Sequence, residues 1–249
     1  GRCAQYVEYC RKNIKMGLVG TAPLTPALKK DFEESFGIPF YENYGLSETF
    51  FISTNTPKSL SRKPSVGEIV QGCVVEIRRD DGARCALDEE GEIFVRSEYF
   101  MRGYHNESSM NDLVDQDGFF KTGDMGCQDQ DGFLYITGRK KDLIIRGGLN
   151  ISPKQIEDKL MEMKEISEVA CIGIPHSIYG EEVAVVVKLK ELFKLALQEK
   201  DIIEFSSKNL SQSKFPRVVY FVDEFPRSTS GKIQKSKLRM MVQEKWAVK

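Results

Sequence analysis

Residues 138–157 read Gly-Arg-Lys-Lys-Asp-Leu-Ile-Ile-Arg-Gly-Gly-Leu-Asn-Ile-Ser-Pro-Lys-Gln-Ile-Glu. Four consecutive charged residues, Arg139 to Asp142, mark an exposed joint between two self-sufficient patterns, so a boundary falls near Lys141. Beyond it, Leu143-Ile144-Ile145 predicts a strand and Gly147-Gly148 a bend. Ser152-Pro153-Lys154-Gln155 then reads as a capping box with Pro at the first helical position. It opens a helix with Ile156, Leu160 and Met163 on one face. Strands at about 168–174 and 183–189, helical stretches to about 210, a strand at 218–222 and a basic terminal segment with Lys235, Lys237 and Arg239 follow. The spacing predicts a compact α+β unit over 141–249.

Upstream the pattern differs. Thr25-Pro26 reads as a helix cap, Leu28, Phe32 and Phe36 as one apolar face, and Gly37 with Pro39 as the stop. Ile38 to Tyr44 then reads as a short buried strand, so 1–65 looks like the remnant of an α/β sheet. Over 66–140, short strands around Ile69, Val74-Val75, Ile77, Ile93 and Val95 alternate with turn signals. These are Asp80-Asp81-Gly82, Asp88-Glu89-Glu90-Gly91, Asp117-Gly118 and Asp131-Gly132. A small antiparallel, barrel-like β region, a barrel or a curled sheet, is expected there. The fold class is therefore α/β and α+β, with residues 1–140 in one unit and 141–249 in the other.

Composition bounds the function. The 249 residues are 41% hydrophobic and 29% charged, which suits a globular chain with a core. Lys and Arg number 36 against 37 Asp and Glu, a net charge of -1, so no overall pull toward nucleic acid or an acidic membrane is expected. The densest apolar run, Val183 to Val187, has the length of a strand and is far short of a membrane span. Six scattered cysteines and only two histidines, His105 and His176, give a zinc site poor prospects and read as reduced thiols of a cytoplasmic protein. Charge is uneven: residues 1–140 carry 17 basic and 22 acidic side chains, net -5, and 141–249 carry 19 and 15, net +4.

Five segments carry chemistry: Gly20-Thr21-Ala22-Pro23-Leu24, Tyr44-Gly45-Leu46-Ser47-Glu48, Lys121-Thr122-Gly123-Asp124, Gly138 to Gly148, and Pro226 to Ile233. Each alone has a structural alternative, such as a turn or a loop cap. Their order and spacing together resemble the adenylate-forming superfamily, from about Gly17 to Arg239, and in detail its acyl-CoA synthetase branch. The superfamily's Ser/Thr/Gly-rich phosphate loop is not among these residues. Ser228-Thr229-Ser230-Gly231-Lys232 mimics it only superficially, because Ile233 follows the lysine. The chain therefore looks like the C-terminal half of such an enzyme, inactive by itself, whose partner is the missing N-terminal half.

The resemblance implies ATP-dependent conversion of a carboxylic acid, expected to be a fatty acid, into an acyl-adenylate and then into a CoA thioester. It implies ATP or AMP, Mg²⁺ and coenzyme A as cofactors, and no nucleic acid partner. It assigns Tyr44 to adenine stacking, and Gly20, Thr21, Ala22 and Gly45 to close backbone approach. Ser47 would meet the α-phosphate, Glu48 would offer Mg²⁺ an oxygen, and Asp124 and Arg139 would hold the ribose. Lys232 is the implied catalytic cation, Lys141 the hinge of a mobile lid, and Gly147-Gly148 the passage for pantetheine. Carrier-protein loading and a non-catalytic nucleotide-binding relative are the alternatives. Tyr104 and His105 read as turn residues, Trp246 as a packing anchor, and Phe50 and Phe51 as acyl-pocket lining or sheet packing with equal claim.

Overall fold

The computed structural model describes residues 4–20, 24, 26–59, 65–105, 114–194, 197–229 and 231–246, with the backbone alone at 4–5, 26–27 and 244–246. Cys3, Thr21, Ala22, the expected cap Thr25 and the side chain of Trp246 lie outside the described residues. The chain divides into two compact units, Gly1–Thr137 and Gly138–Lys249.

The first unit opens with helix α1 (Ala4–Asn13), strand β1 (Gly17–Val19), helix α2 (Pro26–Phe36) and strand β2 (Phe40–Leu46). β1 and β2 run parallel, Leu18 opposite Tyr41, with α2 as the connection. Phe32 stacks on Phe36 at 4.6 Å and on Phe40 at 3.8 Å, which fixes the helix against the strand that follows. Leu28, expected on that apolar face, is 58% exposed, so the packed stripe is confined to the C-terminal half of α2. Arg11 of α1 donates to the carbonyls of Ser35 and Phe36, satisfying the free end of α2 with a cation suited to its dipole.

Then come β3 (Phe50–Thr54), β4 (Gly67–Ile69), β5 (Cys73–Arg78), β6 (Gly91–Ser97), β7 (Phe120–Gln128) and β8 (Phe133–Arg139). The expected barrel is not closed. All eight strands lie in one open sheet, ordered β1-β2-β3-β4-β8-β7-β6-β5. Closure fails because β4 pairs with β3 on one side and β8 on the other, joining the antiparallel region to the α/β strands and leaving β1 and β5 as edges. Ile52, Ile77, Ile93, Val95 and Leu134 form its core. The Asp-rich turns behave as read: the Asp115 and Asp129 carboxylates accept from the amides two and four residues on, holding the two tight turns.

β6 and β7 fall out of step at one place. Phe94 lies opposite Lys121 and Glu92 opposite Met125, so three residues of β7 face the single Ile93. Thr122 Oγ1 donates to the Ile93 carbonyl at 2.7 Å and accepts from the Asp124 amide at 3.0 Å, which stabilises this bulge.

The second unit contains β9 (Ile144–Arg146), β10 (Leu149–Ile151), α3 (Pro153–Leu160), β11 (Ile166–His176), β12 (Gly180–Leu189), α4 (Glu199–Asn209), β13 (Val218–Phe221) and α5 (Lys235–Trp246). β12 is central, antiparallel to β11 and parallel to β13. Val183 to Val187 is buried on both faces: Val183, Val185 and Val187 meet Ile156, Leu160 and Ile202, while Ala184 and Val186 meet Leu238 and Val242. A strand covered on both sides reads as a continuous apolar run. The basic terminal segment is the helix α5, whose Leu238 and Val242, four residues apart, close the second face.

The predicted capping box does not form. Ser152 stands at the N-cap with Pro153 at N1, but its side chain makes no cap bond, and Gln155 accepts instead from Lys214 Nζ at 2.7 Å. A reciprocal box occurs at α4, between Gln198 and Asp201. Cys171 is fully buried, and burial pushes its thiol well above the ordinary range. Of Cys10, Cys73, Cys85, Cys127 and Cys171, the last is therefore expected to react with a maleimide only as the second unit unfolds, a rate readable by mass spectrometry.

Candidate active site

In the first unit, β2 and β3 form a hairpin around Ser47-Glu48-Thr49, with Thr49 fully buried and its amide donating to the Leu46 carbonyl. Gly45 is forced by close packing: a Cβ there would lie 2.3 Å from the Phe50 carbonyl oxygen. Phe50 takes a left-handed backbone, φ 60°, and points its ring outward at 63% exposure. It therefore does not pack the sheet, and its edge meets the Phe51 ring at 4.9 Å. A bulky residue in that conformation beside a motif is the kind of strain found at functional sites.

Asp124 follows the bulge on the buried face of β7, with Phe120 and Gly126, and is 5% exposed. The Tyr44 hydroxyl donates to Asp124 Oδ2 at 2.7 Å, so two motifs 80 residues apart meet in one hydrogen bond. A carboxylate offers about four acceptor positions, two on each oxygen. Gly20 sits at the end of β1 beside the Asn43 amide. Ser47 is exposed, and Glu48 is half-buried.

Glu48 has a neighbour that the sequence did not suggest. Tyr104 Oη donates to Glu48 Oε1 at 2.5 Å, and the Met101 amide donates to the Glu48 carbonyl at 2.9 Å. No local signal reveals this pairing across 56 residues, because it depends on where the segment after β6 returns. Among the described residues no group of three His, Cys, Asp or Glu could hold a metal ion.

The other named residues belong to the second unit. Arg139 precedes a single 3-10 turn, Lys140–Asp142, in which no residue is buried and Lys141 is exposed. Gly147 and Gly148 form the two-residue loop between β9 and β10, with Arg146 opposite Leu149 and φ of 57° and 83°. Positive φ at both positions defines the tight hairpin turn that fits strand twist. The Gly147 amide donates to the Tyr179 carbonyl at 2.8 Å. Beside it, Arg146 makes a two-pronged pair with Glu182, at 2.7 and 3.1 Å, and lies over the Tyr179 ring at 4.5 Å. The Glu182 hydrogen bond raises the Arg146 guanidinium further above its ordinary range.

Lys232 lies on a loop held by its own backbone. The Ser228 amide donates to the Lys232 carbonyl at 2.9 Å, and the Lys232 amide to Ser228 Oγ at 3.2 Å. Nearby cations are committed: Arg227 pairs with Glu168, and Lys235 Nζ donates to Glu157 Oε1 at 2.6 Å. The exposed Lys232 ammonium has no such partner among the described residues.

Residues 2–105 match the AMP-binding enzyme family, and residues 155–232 match its AMP-binding enzyme C-terminal domain. A long-chain-fatty-acid–CoA ligase of Bacillus subtilis is 36% identical over 239 residues, covering 93% of this chain and 41% of the relative. An indoleacetate–CoA ligase of Aromatoleum aromaticum is 38% identical over 212 residues, 84% of this chain and 41% of the relative. The crystal structure of ATP-bound MatB from Rhodopseudomonas palustris superposes with a TM-score of 0.85 at 31% identity, covering 92% of this chain and 45% of that one. The chain thus spans less than half the length of these relatives. With both family matches in chain order on the two units, the chain belongs to the adenylate-forming superfamily of AMP-binding enzymes, in its acyl-CoA ligase branch.

Proposed function

We propose that this chain carries the adenosine-binding wall and the catalytic lysine of an ATP-dependent acid–thiol ligase, which makes an acyl-adenylate and passes the acyl group to CoA. The observation that carries the reading is the exposed Lys232 ammonium, which has no ion-pair partner among the described residues while Arg227 and Lys235 are each paired with a glutamate. A carboxylate is a poor electrophile, and joining it to AMP supplies a good leaving group. That step needs positioning and charge stabilisation more than covalent help from the protein.

Tyr44 offers a flat ring to the adenine while its hydroxyl holds Asp124 for the ribose hydroxyls. Arg139 donates to the same sugar, and Ser47 to the α-phosphate. Gly20, Thr21, Ala22 and Gly45 leave room for the base and the acyl group. Glu48 Oε2, which has no partner among the described residues, suits a hard cation such as Mg²⁺. When bound, Mg²⁺ neutralises phosphate charge. Lys232 stabilises the negative charge shared between the acid oxygen and the phosphate. The exposed turn at Gly147-Gly148 leaves a side-chain-free approach for pantetheine.

Lys141 is the proposed hinge, since its turn buries nothing and can absorb a change of φ and ψ without opening core. Lys141→Pro is expected to reduce thioester formation at least tenfold while adenylation is partly retained; equal loss in single-turnover assays of both half-reactions would remove the hinge.

A fatty acid in the cytoplasm is the proposed substrate and setting, supported by the fatty-acid relative and the exposed Phe50 and Phe51 beside Glu48. The test is acid-dependent ATP–pyrophosphate exchange and CoA thioester formation by a protein that joins this chain to the additional length of its relatives. A holo-carrier protein accepted in place of CoA would favour the loading alternative. Neither product, with AMP still bound, would favour a binding protein. The 249-residue chain alone is expected to give no exchange.

A further inference from the structure

The segment after β6 is fastened to the Ser47-Glu48 turn at three points. Ser97 Oγ donates to the Thr49 carbonyl at 3.5 Å and accepts from the Tyr99 amide at 3.0 Å. The Met101 amide donates to the Glu48 carbonyl at 2.9 Å, so backbone fixes backbone. Between them Phe100 packs edge-on against Phe120 at 5.4 Å, which ties the segment to the first residue of β7. At its end Tyr104 Oη reaches Glu48 Oε1 at 2.5 Å, a length found where a hydroxyl donates to a carboxylate. Tyr104 is 41% exposed, more than a residue placed for packing alone requires.

We infer that Tyr104 is a positioning residue for Glu48: its phenol occupies Oε1 and fixes the carboxylate so that Oε2 alone faces a metal–nucleotide complex. This inference rests on the proposed role of Glu48. A glutamate with a free side chain has three rotatable bonds and can present either oxygen, or both. A carboxylate anchored at one oxygen presents the other in a defined direction, which suits a small cation demanding regular geometry. Outer partners of metal-binding side chains are typically worth about 10–100-fold in metal affinity. The ring of Tyr104, the Ser97 and Met101 hydrogen bonds and the Phe100 contact do not depend on the hydroxyl, so Tyr104→Phe removes the hydrogen bond to Glu48 and leaves them in place.

The experiment uses the ligase that joins this chain to the additional length of its relatives. Two quantities are measured for wild type, Tyr104→Phe, Glu48→Gln and the double variant. One is the Mg²⁺ concentration giving half-maximal ATP–pyrophosphate exchange. The other is Mn²⁺ bound in the presence of a non-hydrolysable ATP analogue, counted by electron paramagnetic resonance of the free ion. Tyr104→Phe is expected to raise the Mg²⁺ midpoint about tenfold and weaken Mn²⁺ binding equally, with the melting midpoint unchanged. In the Glu48→Gln background the same substitution is expected to add less than twofold.

A Mg²⁺ midpoint and Mn²⁺ affinity within twofold of wild type, or full additivity with Glu48→Gln, would overturn the inference. If wild type shows no exchange, the ligase reading fails first. Mn²⁺ counting then still decides whether Tyr104 acts through Glu48, and absent Mn²⁺ binding removes both.

Discussion

Lys232→Ala is expected to slow acyl-adenylate formation by about 10²–10³, the loss typical when one preorganised donor to a developing oxyanion is removed. Thioester formation from supplied acyl-adenylate is expected to change by less than threefold. The asymmetry follows from where charge develops: it grows on the acid oxygen and phosphate in the first half-reaction, whereas a thiol attacks a carbonyl in the second. The loop around Lys232 is held by Ser228 and by the Arg227 contact with the Gly231 carbonyl at 2.9 Å, none of which uses the ammonium. Truncation should therefore leave the unit folded. Lys235→Ala is the control, because its ammonium serves Glu157, which also accepts from the Cys171 amide. That variant should lose stability and spare the ratio of the two half-reactions. Equal loss in both half-reactions for Lys232→Ala, measured by single-turnover quench, would refute alternation between two working positions.

The second large effect concerns stability. Arg146→Met is expected to destabilise the second unit by about 3 kcal/mol, because it strands the Glu182 carboxylate inside the protein without its partner. Glu182 is 5% exposed, and among the described residues its carboxylate accepts, besides the two guanidinium contacts, from the Val183 amide at 2.9 Å. Met retains the volume that lies over Tyr179, so the loss isolates charge pairing from packing. The double variant Arg146→Met, Glu182→Leu is expected to recover most of the difference, since two apolar groups need no compensation. The urea midpoint checks both. A single variant as stable as wild type would mean that water already reaches Glu182.

How much of this was legible beforehand depends on the range of the interaction concerned. Local devices read well: the Asp129 and Asp115 turns, the stop at Gly37 and the paired glycines of the β9–β10 loop are each set within a few residues. The apolar run Val183 to Val187 announced a strand but not that both its faces are covered, which needed α5. α5 was hidden because its charges mask two apolar positions. Of the two expected forms of the β region, barrel or curled sheet, the closed one is excluded because closure depends on the edges, and no local signal says that β4 will bridge β3 and β8. In the site, the motifs named Tyr44, Glu48 and Asp124. The Tyr44–Asp124 and Tyr104–Glu48 bonds are set by strand order, so neither residue type nor spacing encodes them.

The bulge in β7 carries a genetic consequence. Side chains of a strand alternate between faces, and β7 sets three residues, Thr122 to Asp124, against one of β6, two more than an even ladder needs, so Phe120, Asp124 and Gly126 stay on the buried face. Deleting Gly123 alone would still leave two residues opposite Ile93 and would remove the residue between Thr122 Oγ1 and the Asp124 amide that donates to it, so the turn that carries Asp124 could not keep its shape. Insertions and deletions should therefore be purged from this stretch more sharply than point changes, so that among descendants of this gene the length of the segment stays constant while its letters drift.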